Sequence, residues 1–178
     1  MVDVVLFHHV QGLTDGLRAF AVELGAGGHT VHTPDLFGGE ELERRAVAAV
    51  ADLPRELVYA GFSWGAGTAQ ELAQTRAGAR GALLFDACLP VTGEYALGPW
   101  PDGVAVQVHG MDRDPFFALE GDLDAARELV DIVGPELAEL FVYPGEGHLF
   151  ADSSLPSYDA EAAALVLQRS RDFLDRLA

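Results

Sequence analysis

Two rhythms of apolar positions alternate along this chain. Short, almost continuous apolar runs fall at residues 2–7, 29–32, 57–61, 81–85, 104–109 and 140–143. Such runs suit strands covered on both faces, as in a parallel sheet between layers of helices. Between them the apolar spacing becomes helical. Thr14 stands where an N-cap belongs, ahead of Leu17, Phe20, Ala21 and Leu24, and Gly25 and Gly27 stop the pattern. Asp122 is expected to cap a second helix carrying Leu123, Ala126, Leu129, Val130 and Val133, terminated by Gly134-Pro135. A last helix is predicted from about Pro156, with Ala160, Ala163, Ala164, Leu167, Leu174 and Leu177 on one stripe. Helices over 40–52 and 64–76 complete the alternation. The expected class is α/β, with a mostly parallel six-stranded sheet flanked by helices and one domain over 1–178. Residues 86–103 form the longest predicted loop, too short for a separate cap domain. Its Tyr95 and Trp100 are placed to overhang a pocket.

Composition narrows the function. Of 178 residues, 49% are hydrophobic and 22% charged, which suits a globular domain. Lysine is absent, the 11 basic residues are all arginine, and the net charge is −17. Nucleic acid needs clustered cations and is not expected as a partner. Anionic membranes are equally disfavoured, and no run approaches the roughly 18 apolar residues of a span. Met1 to Phe7 reads as a strand rather than a leader, so a cytoplasmic location is the expectation. The single cysteine, Cys88, lies in an apolar run and reads as a core thiol. His8 and His9 are adjacent rather than four apart on a helix, so neither a metal site nor a cofactor is expected.

One pentapeptide carries chemistry. Gly61-Phe62-Ser63-Trp64-Gly65 fits Gly-x-Ser-x-Gly, a strand-to-helix turn that exposes a nucleophilic serine. Residues 56–60 read as the strand before it. Small residues after it (Ala66, Gly67, Thr68, Ala69) allow a helix to pack closely on the sheet. A serine hydroxyl becomes nucleophilic only beside a base. His148 lies in the glycine-rich loop Pro144-Gly145-Glu146-Gly147-His148 after the last predicted strand, at the sheet end where such folds assemble their sites. An acid should follow the preceding strand, and both Asp112 and Asp114 are there. Asp114 is preferred because Pro115 stiffens its turn. Oxyanion donors are expected from the backbone N–H groups of Trp64 and Val10, the second in the loop after the first strand.

With these residues placed, the chain resembles the dienelactone hydrolase family of α/β-hydrolases. The resemblance runs through Val4-Val5-Leu6-Phe7-His8-His9 with Gly12, Thr33-Pro34-Asp35-Leu36-Phe37-Gly38-Gly39, the elbow, Asp114-Pro115-Phe116-Phe117, and Tyr143-Pro144-Gly145-Glu146-Gly147-His148-Leu149-Phe150. It implies the triad order Ser63, Asp114, His148 and a compact α/β-hydrolase fold without a large cap. Three departures stand out. Ser63 stands where the family's type enzyme has cysteine, and His9 stands roughly where that enzyme has a gating glutamate. Asp152 lies near the position of an arginine that receives the substrate carboxylate, so a dienelactone carboxylate is expected to be repelled.

The resulting expectation is a serine hydrolase cleaving a small ester, lactone or thioester through an acyl-enzyme on Ser63. His9, Phe116 and Trp100 are candidate substrate-binding residues. Acyl transfer by the same triad and an idle module holding a small ligand are the competing readings. The expected partner is a small acyl substrate, and the expected state a monomer or small homo-oligomer.

Overall fold

The computed structural model describes residues 1–37 and 42–178. Among these residues the chain runs β1 (Asp3–Phe7), α1 (Asp15–Gly25), β2 (Thr30–His32), α2 (Leu42–Ala51), β3 (Leu57–Phe62), α3 (Trp64–Thr75), β4 (Ala79–Phe85), β5 (Ala105–Met111), α4 (Asp122–Val133), β6 (Ala138–Tyr143) and α5 (Ala160–Leu177). The strands form one sheet in the order β2-β1-β3-β4-β5-β6, and every pairing is parallel.

Side-chain alternation sorts the helices into two layers. On β3, Val58, Ala60 and Phe62 join Leu17 and Phe20 of α1 and Val166 and Phe173 of α5. Leu57 and Tyr59 point the other way, into a cluster with Ala46 and Val50 of α2, Ala69 and Leu72 of α3, and Leu129 of α4. β3 and β5 are therefore buried along their whole length, which explains the continuous apolar sequence of β3 and leaves only Gln107 and His109 as polar residues in β5. The order reverses at β1, since α1 leads outward to β2 and α2 carries the chain back past β1 to β3. The loops leaving β1 and β3 thus open on the same end of the sheet, where ligand sites of such folds lie.

Several boundaries differ from expectation for local reasons. Thr14 does cap α1, accepting the Leu17 N–H at 3.1 Å. Asp122 does not cap α4. Gly121, in a left-handed conformation (φ 110°), occupies that position, and the Asp122 carboxylate instead accepts the Cys88 N–H at 3.1 Å. α5 begins at Ala160 rather than Pro156, because Asp159 accepts the N–H groups of Glu161 and Ala162. The buried stripe of α5 is accordingly Ala162, Ala163, Val166, Ser170, Phe173 and Leu174, while Ala160 and Ala164 face solvent. The predicted start of the second helix and the Gly38-Gly39 pair lie outside the described residues. None of the described helices is long and apolar enough to cross a membrane.

Candidate active site

Ser63 sits between β3 and α3 with φ 50° and ψ −114°, a strained conformation for a residue with a Cβ. Its N–H is tied to the Phe85 carbonyl at 2.7 Å, and its carbonyl accepts the Ala66 N–H at 2.8 Å. The flanking glycines allow this turn. A Cβ on Gly61 would lie 2.0 Å from the Gly65 carbonyl oxygen, and one on Gly65 would lie 2.5 Å from the carbonyl oxygens of Phe7 and His8. All three obstacles are backbone, which cannot swing aside. Gly61→Ala is therefore expected to lower stability by about 3 kcal/mol or more, measurable by denaturant unfolding.

The side chains of Ser63, His148 and Asp114 form one hydrogen-bonded line. The Ser63 hydroxyl donates to His148 Nε2 at 2.8 Å, and His148 Nδ1–H donates to Asp114 Oδ2 at 2.7 Å. Asp114 is fully buried, and its other oxygen accepts the Phe116 N–H at 2.9 Å. That Asx-type turn across Pro115 fixes the carboxylate from behind. Asp112 has a different job. Its Oδ1 accepts the Gly145 N–H at 2.9 Å, clamping the histidine loop to the end of β5. Burial pulls the His148 imidazole down. The Asp114 hydrogen bond and the charges of Asp86, Asp114 and Asp122 outweigh it and hold the pKa above the ordinary histidine value.

A cavity of about 1030 Å³ opens beside this line. Ser63, Trp64, Val10, Phe116 and His148 all contribute to its wall. Phe116 lays its ring 4.7 Å from that of His148. Val10 is 65% exposed in the turn after β1, and Trp64 is the first residue of α3, where a backbone N–H has no partner within its helix.

Two sequence-based candidates face elsewhere. The His9 ring is fully buried and donates through Nε2 to Asp152 at 2.8 Å, while its Nδ1 accepts the Gln11 N–H. Asp152 is also fully buried and accepts the Thr14 hydroxyl and the Ser154 N–H. The pair therefore fastens the loop after β1 to the segment after His148. It cannot gate the cavity or repel a substrate carboxylate there. Trp100 is drawn into the core by a bond from Nε1 to the Val104 carbonyl at 2.8 Å, and it does not overhang the cavity. Tyr95 is 84% exposed and likewise stands off the cavity wall. From that loop, Asp86, Ala87 and Leu89 line the cavity instead.

Asp86 is the residue that pattern reasoning passed over. It follows the apolar strand β4, and a lone acid ending such a run beside the elbow strand was the available signal. It has φ 60°, is 2% exposed, and among the described residues neither of its carboxyl oxygens has a hydrogen-bond partner. Burial pushes its pKa up to about 8; His148 and the Leu149 N–H act against this, and Asp114 adds to it. Cys88 is a buried thiol pushed upward by burial and Asp122, in keeping with a core role. His109 is also a core group. Its Nε2 donates to Gln107, its Nδ1 accepts the Tyr143 hydroxyl, and burial holds its pKa down to about 3. Among the described residues no group of three or more His, Cys, Asp or Glu could hold a metal ion.

A parallel sheet in this order, with a Gly-x-Ser-x-Gly turn after β3 and no large cap, defines an α/β-hydrolase fold. Solved structures share it. A dienelactone hydrolase-like promiscuous phosphotriesterase from metagenomic libraries superposes with a TM-score of 0.76 at 20% identity, covering 99% of this chain and 87% of its own. The Thermogutta terrifontis esterase Est2 with bound propionate gives 0.73 at 15% identity, covering 99% and 84%. The same organism's esterase 2 phosphorylated by paraoxon gives 0.72 at 16% identity, covering 99% and 83%. No curated protein matches the chain in sequence. The model of the dienelactone hydrolase family matches residues 41–178, and the chain belongs to that family of ester-bond hydrolases.

Proposed function

We propose that the protein hydrolyses small esters, lactones or thioesters through an acyl-enzyme on Ser63. The observation that carries this reading is the unbroken line from Ser63 Oγ through His148 to Asp114, with bonds of 2.8 and 2.7 Å. In the first half-reaction Ser63 Oγ attacks the acyl carbonyl carbon while His148 Nε2 takes its proton. Asp114 stabilises the imidazolium that results. The N–H groups of Val10 and Trp64 are the proposed donors to the tetrahedral oxyanion. As the carbon–oxygen or carbon–sulfur bond breaks, His148 returns the proton to the leaving group. Water then attacks the acyl-serine, giving its proton to His148, and the acid departs as Ser63 recovers its hydrogen.

The cavity volume suits a small acyl compound, and the exposed Phe116 ring beside His148 offers it an apolar contact. Turnover of p-nitrophenyl butyrate tests the reading, with free butyrate as the expected product. Adding a primary alcohol should leave butyrate as the main product; an ester of that alcohol replacing it would identify an acyltransferase. His148 must be neutral to accept the Ser63 proton. Its raised pKa therefore places the acid limb of kcat/KM at a midpoint above about 6.5, with activity falling as pH drops through it. A pH–rate profile reads this midpoint, and a value at or below the ordinary histidine range would contradict the electrostatic description.

A further inference from the structure

We propose that the cavity beside Ser63 is a trough along α3 that takes a linear acyl chain of about eight carbons, with its far end marked by Glu71. The proposal rests on the esterase reading and adds the substrate class. From α3 the cavity is lined by Trp64, Gly67, Thr68, Glu71 and Thr75, together with Leu72 beside them. The first five fall at i, i+3, i+4, i+7 and i+11, which is one stripe down a helix. The opposite faces of α3 are packed away, with Gly65, Ala66, Ala69, Gln70 and Ala73 buried. The cavity therefore follows the helix from its first turn, beside Ser63, to its last. The buried Ala46 and the exposed Val47 of α2 bound the trough on one side, and Leu89 bounds it on the other.

The chemistry decides which part of an ester lies in this trough. His148 must hand its proton to the leaving oxygen, so the leaving group lies on the His148 side, toward Phe116 and Leu149. The acyl chain then departs from the carbonyl carbon in the other direction, along α3. Its length follows from the helix. Ser63 to Glu71 spans eight residues, or about 12 Å at about 1.5 Å per residue. An extended alkyl chain with C–C bonds of about 1.5 Å advances about 1.3 Å per carbon, so about nine carbons fill that span. Up to Glu71 the stripe offers the Trp64 ring, the bare backbone of Gly67 and the Thr68 side chain, with Leu89 and Val47 across from them. Beyond that point it turns polar, with Glu71 and Thr75. Gly67 keeps the passage open. A Cβ there would meet only Leu89, at 3.4 Å from Cδ1 and 4.0 Å from Cγ, so alanine fits and a longer side chain grows into the trough.

The test compares kcat/KM for p-nitrophenyl acetate, butyrate, octanoate and laurate below their aggregation concentrations, each divided by its rate of hydroxide hydrolysis. A CH2 group that buries half its surface gains about twofold, so the octanoate should exceed the acetate by about fiftyfold, with no further gain for the laurate. Gly67→Leu should lower the octanoate-to-acetate ratio about tenfold or more, and leucine favours the helix over glycine. Val47→Glu, at an exposed position where folding is not at stake, should lower the ratio severalfold by placing a charge on the trough wall. Glu71→Leu should raise the laurate-to-octanoate ratio above one. A profile flat or falling from acetate to octanoate overturns the proposal, as does a rise that Gly67→Leu and Val47→Glu leave unaltered. Calorimetry with N-methyloctanamide separates the trough from the esterase reading. Binding that Gly67→Leu abolishes, with no ester cleaved, would sink the esterase and keep the trough. Ester cleavage with no chain-length preference would do the reverse.

Discussion

Ser63→Ala is expected to lower kcat on any ester the protein cleaves by about 10⁴-fold or more, with the fold intact. The substitution deletes only Oγ, the one atom of the residue that bonds to His148. Alanine meets the same backbone strain at φ 50° that serine already bears, and the hydrogen bonds of the Ser63 N–H and carbonyl are untouched. Any remaining rate would come from the backbone donors and from holding the ester in place. Steady-state kinetics paired with thermal unfolding checks both halves. A loss below about tenfold in a folded variant would remove Ser63 from the chemistry.

Asp114→Asn should cost nearly as much, on the order of 10⁴-fold in kcat, whereas Asp112→Asn should cost less than about tenfold. Asp114 can only accept from His148 Nδ1–H, which leaves Nε2 with a free lone pair for the Ser63 proton. An asparagine amide can donate to Nδ1 and stabilise the opposite tautomer, with the proton already on Nε2. Asp112 makes no bond to His148. Its contact with the Gly145 N–H can be kept by the asparagine carbonyl oxygen. The ratio of the two losses separates the candidates that the sequence placed side by side.

The layered fold was legible because burial on both faces leaves a plain mark: β3 is apolar throughout, β5 is interrupted only by the buried Gln107 and His109, and α1 carries its core face at regular spacing. The elbow was legible for a steric reason, since only glycine fits at 61 and 65. Failures came where tertiary partners decide the outcome. Nothing local tells that Asp122 will bond to Cys88, or that the Asp159 cap will displace the start of α5. His9 and Asp152 lie 143 positions apart, and only the folded chain shows that they neutralise each other's function in the cavity. Asp86 was hidden for the opposite reason. Its carboxyl oxygens have no hydrogen-bond partner among the described residues, so no pairing in the sequence marks it.

The sequence-based reason for expecting a dienelactone carboxylate to be repelled does not hold in the folded chain. Asp152 is spent on His9, Thr14 and Ser154 and is fully buried, away from the cavity wall.

The claim on which everything else depends is that Ser63 is a nucleophile activated by His148. Treatment with a fluorophosphonate followed by intact-mass measurement tests it most directly, because phosphorus captures the activated oxygen without needing the natural substrate. Unaltered protein should gain the mass of one phosphonyl group, and neither Ser63→Ala nor His148→Asn should gain it at a comparable rate. Unlabelled but folded unaltered protein, or equal labelling of Ser63→Ala, would contradict the account.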